Sequence, residues 1–82
     1  MMLSPTKHSN LKYSIINVSG SIITTLKENG IIEYNDLLSS LKHKIGVEVG
    51  EVFLLSLNFL YILKRIEYID ELDSIRLLNE AV

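Results

Sequence analysis

The residues able to do covalent chemistry are few, and none stands at a spacing that chemistry requires. His8 and His43 are the only histidines and there is no cysteine, which removes thiolate nucleophiles, disulfides and cysteine-ligated zinc. Asp70, Glu71 and Asp73 form an acidic cluster but lack the glycine and distal glutamate of a calcium-binding loop. They read as a solvated turn. No serine sits in a nucleophile-elbow pattern, and the chain contains no glycine-rich phosphate loop and no HExxH pair. Asn17-Val18-Ser19 fits the glycosylation pattern by chance. No catalytic residue, no metal site and no cofactor are expected.

Other elements must therefore carry the function, and their order follows from residue patterning. Met1 to Asn10 reads as an extended arm, with Pro5 turning Ser4 away from helix. Residues 11–80 read as one domain. Leu11, Ile15, Val18, Ile22 and Leu26 share one face of a helix ending at Asn29-Gly30. Gly20, between Ser19 and Ser21, forms a small-residue patch suited to close helix packing inside the fold. Ile31 to Glu33 is short and β-branched, so it reads as a strand. Asn35 is a suitable N-cap for a second helix with Leu37, Leu38, Leu41 and Ile45 buried and Gly46 at its end. A third helix is expected over Glu51–Lys64. Ile66 to Ile69 alternates like a half-buried strand, Asp70 to Ser74 turns, and Ile75 to Leu78 returns.

Helix, strand, helix, helix, strand, turn, strand is the order of a winged helix, an α+β and mostly helical fold with a β-hairpin wing. The strand at Ile31 supplies the third strand that a bare hairpin needs for stability. A helical bundle with a frayed tail is the rival arrangement.

Size and composition point to a partner. The chain has 82 residues, and 48% of them are hydrophobic. A domain this small hides only about 60% of the surface its unfolded chain exposes. Its apolar content exceeds what such a core can hide, so a second copy or a partner subunit is the expected source of extra burial. The net charge of −2 gives no electrostatic case for nucleic-acid binding. The longest apolar run, Val52 to Leu63, is too short for a bilayer. With no secretory pattern near Met1 and no cysteine, the cytoplasm is the expected location.

The third helix concentrates the argument. From Val47 through Leu63 there is no Lys or Arg, although a helix entering the major groove carries them on its outer face. Glu48 and Glu51 would repel phosphate. Phe53, Leu57 and Leu60, with Leu63 nearby, form the expected core side. Leu55, Phe59 and Ile62 occupy another side, Leu54 and Tyr61 the opposite flank, and Glu51, Asn58 and Arg65 a polar seam. Helix one repeats the feature with Ile16 and Ile23. Ile16, Ile23, Leu54, Leu55, Phe59, Tyr61 and Ile62 are the candidate partner-binding residues. The bland account is that the arm and the hairpin cover them. The alternative function is a winged-helix DNA-binding regulator, whose contacts would be Lys42, Lys44, Lys64, Arg65 and Arg76.

The chain also resembles the small middle components of bacterial ABC-three component systems. The resemblance lies in Pro5-Thr6-Lys7-His8, in Ser14 to Leu26 with its central Gly20, in Tyr34-Asn35-Asp36-Leu37-Leu38, and in the run Ser56 to Glu67. Lys64 stands where many winged-helix relatives have Gly. The resemblance implies a non-enzymatic accessory subunit beside an SMC-like or ABC-type ATPase and an effector, in a defence complex acting against mobile DNA. It implies another protein as partner, with a homodimer as a further option, no membrane, and DNA reached only through the complex.

Overall fold

The computed structural model describes residues 13–78. The arm, Leu11 and His8 lie outside that span. Three helices, α1 (Ile15–Asn29), α2 (Tyr34–Lys44) and α3 (Gly50–Ile62), and three strands, β1 (Ile31–Glu33), β2 (Ile66–Ile69) and β3 (Ser74–Leu77), follow the order α1, β1, α2, α3, β2, β3. This is the winged-helix arrangement. The sheet is antiparallel in the order β1-β3-β2. Ile32 stands opposite Ile75 in one pair, and Tyr68 stands opposite Ile75 in the other. The short strand after α1 thus closes the hairpin on its far side, and β3, the central strand, is held from both edges.

The helix ends show where local chemistry acts. Ser14 caps α1, its hydroxyl oxygen accepting the Asn17 backbone N–H at 3.1 Å. The described helix therefore begins at Ile15, after the expected start at Leu11. Gly30 ends α1 at φ 82°, its N–H donating to the Leu26 carbonyl at 2.7 Å. The cap expected at Asn35 is corrected. α2 already starts at Tyr34, behind Glu33, with no side-chain cap. Instead, the Tyr34 N–H donates to the Asp73 carbonyl at 3.0 Å. A backbone bond from the wing turn replaces the local cap, so the hairpin and α2 fix each other. A short 3-10 turn over Val47–Val49 leads into α3, which begins one residue early and ends at Ile62 rather than Lys64.

α1 and α3 make the most extensive helix pair. Val18, Ile22 and Leu26 from α1 join Leu37 and Leu41 from α2 and Phe53, Leu57 and Leu60 from α3; Val49, Ile66 and Ile75 complete the core. Each fully buried Leu, Ile or Phe contributes about 1.5–3 kcal/mol through removal from water. Tyr34 packs edge-on against Phe53, with ring centroids 5.3 Å apart. Two expectations fail here. Leu63 is exposed, because the helix ends before it can reach the core side. Gly20 faces outward, with open space where a Cβ would stand, so it does not mediate packing within the fold.

Candidate protein-docking face

The outer face of α3 follows from helix geometry. At about 100° per residue, Phe53, Ser56, Leu57 and Leu60 fall within one arc, and all four are buried. Glu51, Leu54, Leu55, Asn58 and Ile62 fall within the opposite arc, and all five are exposed. Three of them are large and apolar: Leu54 is 57%, Leu55 54% and Ile62 77% exposed. A surface helix ordinarily carries charge there. This one carries a Glu51–Asn58 seam with leucine or isoleucine on each side.

The seven candidate partner-binding residues divide. Ile16, Leu54, Leu55 and Ile62 are exposed, Ile16 at 67%. Ile23, Phe59 and Tyr61 are half-buried and pack against the core, so they flank the exposed face. Burial, reinforced by the negative charge of Asp70 and by Tyr34, pushes the Tyr61 phenol above its ordinary value. Tyr61 therefore stays neutral and belongs to the side of α3 that meets the wing turn and α2. On α1, Ile16 and Gly20 lie four residues apart on the exposed side, with half-buried Ile23 beside them. Val47, Leu63 and Leu72 are exposed apolar side chains that helical periodicity missed. Each sits in or beside a turn, where no repeat signals its orientation.

The five cations of the DNA-binding alternative are all exposed, but two are engaged with carboxylates. Lys44 Nζ lies 3.6 Å from Glu28 Oε1 and donates to Thr25 Oγ1 at 3.0 Å, tying α2 to α1. Arg76 pairs with Glu67 across the β2–β3 register. Lys64 and Arg65 stand together at the exit of α3, and Lys42 projects from α2 with its Cε near Gly50. At the wing turn, the Tyr68 hydroxyl donates a hydrogen bond to Asp73 Oδ1, and Asp70 and Glu71 are exposed. The hairpin tip that would approach DNA is thus acidic, and the groove-facing side of α3 has no cation of its own. Among the described residues, no group of three or more His, Asp or Glu side chains converges as a metal site would require. No helix among them is long and apolar enough to cross a membrane.

The family model for ABC-three component (ABC-3C) system Middle Component 8 matches residues 30–78, from the strand after α1 to the end of the wing. The match takes in the Tyr34–Leu38 and Ser56–Glu67 stretches of the resemblance but neither the arm nor α1. No curated protein and no solved structure matches the chain. With the matched span covering more than half of the sequence and the whole α2–α3–wing unit, the chain belongs to the ABC-three component system Middle Component 8 family, as a non-enzymatic adaptor of such a system.

Proposed function

We propose that this adaptor works by presenting the apolar outer face of α3, together with Ile16 of α1, to other protein subunits of an ABC-three component complex. The observation that carries the reading is the exposure of Leu54, Leu55 and Ile62 on the face where a groove-reading helix would carry cations. Exposed apolar groups clustered on one helix face favour association, because docking removes them from water. The partner subunit is an SMC-like or ABC-type ATPase or the effector, and ATP hydrolysis and any nuclease step belong to those subunits. DNA is engaged through the assembly, in the cytoplasm, in defence against mobile DNA. Family membership supports the setting, and the charge distribution supports protein over nucleic acid as the direct ligand.

The test is co-purification of the tagged chain with the ATPase and effector components encoded beside it. Leu55→Asp and Ile62→Asp each place a charge on the outer face, far from the core. Each is expected to reduce recovery of the complex by about tenfold or more, with the circular dichroism spectrum unchanged. Phe59 is unsuitable for this purpose, because it packs against the core. Full recovery with both Asp variants would move the docking surface elsewhere.

A further inference from the structure

The place where the described chain begins bears on the outer face of α3. Tyr13, the first described residue, packs against the core and sets its hydroxyl against Gly46. Gly46 directly precedes the Val47–Val49 turn into α3. The chain thus enters the domain within a side chain's length of the approach to α3. From there the exposed residues open with acid and continue apolar: Glu48 and Glu51, then Leu54, Leu55 and Ile62. Neither glutamate forms an ion pair among the described residues. Residues 1–12 precede Tyr13 and lie outside the described span. They include Lys7, His8 and Lys12 and no acidic residue. Counted back from Tyr13, these cations come first, and Leu3, Met2 and Met1 lie beyond them. The stretch from Tyr13 back to Leu3 can span about 33 Å when extended, against about 20 Å for the length of α3.

We infer that the chain's own N-terminal segment, Met1 to Lys12, lies along the outer face of α3 while the adaptor is free, and yields it when a partner docks. The inference rests on the reading of α3 as a docking face and names what regulates access to it. The order of character decides the occupant. Outward from the Tyr13–Gly46 contact, the segment runs cationic and then apolar, and the approach to α3 with its outer face runs acidic and then apolar. Laid along the helix, Lys12 and Lys7 come to Glu48 and Glu51, and Leu3 with its neighbouring methionines to Leu54 and Leu55. The exposed side of α1 offers no equal match: it carries Lys27, and its exposed acid, Glu28, already pairs with Lys44. A tethered segment reaches the face at a high effective concentration. Its exposed charge pairs contribute little each, so a partner with a larger apolar footprint displaces it. Until then the partner's apparent affinity is reduced by the fraction of chains whose face is covered.

The chain has no cysteine, so Ser4→Cys gives the full-length protein a single attachment point for a nitroxide, beside Leu3. The test is paramagnetic broadening of backbone amide signals in that protein, isotope-labelled. The expected result is loss of the Leu54, Leu55 and Asn58 signals, with those of Gly20 and Leu72 kept. Glu48→Lys together with Glu51→Lys should abolish the loss. A mixed sample, with the nitroxide on unlabelled chains and the isotope on others, should show none, because segment and face belong to one molecule. Leu3→Asp with Lys7→Glu alters the segment alone and should tighten binding of the ATPase or effector component by about twofold or more. Unbroadened α3 signals overturn the inference. So does equal loss at Leu72, which places the segment on the acidic wing turn, or loss in the mixed sample, which gives the face to a second copy. Broadening that survives the two lysine substitutions, or binding no tighter in the segment variant, overturns it as well. If the α3 signals are kept yet Ile62→Asp still loses the complex, the docking face stands and only the segment is misplaced. If they are lost while Leu55→Asp and Ile62→Asp leave recovery complete, the docking reading fails and the position of the segment stands.

Discussion

Lys64 occupies a left-handed conformation, φ 61°, immediately after α3. The Arg65 N–H donates back to the Leu60 carbonyl at 2.9 Å and the Lys64 N–H to that of Tyr61 at 2.9 Å, the two bonds of a Schellman cap. That position favours glycine, and a side chain there costs about 1–2 kcal/mol. Part of the cost would return in Lys64→Gly as unfolded-chain entropy. The expected outcome is a gain of about 0.5–1 kcal/mol in chemical denaturation. Gly46 gives the opposite sign. It sits at φ 151°, and a Cβ there would collide with the Tyr13 hydroxyl. Gly46→Ala should lose about 2 kcal/mol or more in the same measurement. The role of Gly46 as a helix stop was legible from its type. The conformation of Lys64 was not, since nothing local marks a lysine for that region. Only the tight exit from α3 into β2 forces it there.

At the scale of elements, α1 and α3 each bury a polar atom that nothing among the described residues compensates. Ser19 Oγ on α1 and Ser56 Oγ on α3 are buried and find no hydrogen-bond partner among the described residues. A buried hydroxyl without a partner costs about 1–3 kcal/mol, while its small volume lets helices approach closely. Ser56→Ala keeps the volume and removes the orphan, so thermal unfolding should shift upward by an amount equivalent to about 1 kcal/mol. Ser56→Val should instead destabilise, by overfilling a site that is fully buried. Element order, the third strand at Ile31 and the Gly30 stop were all legible, because periodicity and turn residues act locally. The start of α2 was not. Asn35 had the right side chain for a cap, but the Asp73 carbonyl, distant in sequence, took the Tyr34 N–H first. Gly20 failed for a related reason: a small residue permits close approach from outside as readily as from inside.

For the whole molecule, residue types fixed the absence of catalytic spacing, the winged-helix order and the lack of cations on α3, because each is a property of composition or short-range pattern. They also showed that α3 is apolar on more sides than one core can use. Which of those sides remains outside was decided by tertiary structure alone. Phe59, Tyr61 and Ile23 are partly buried against the core, whereas Leu54, Leu55 and Ile62 stay in water. Helical spacing sorts side chains into directions but does not say how far neighbouring elements reach around. That depends on crossing geometry, on the early end of α3 that leaves Leu63 outside, and on the backbone bond that holds the wing against α2.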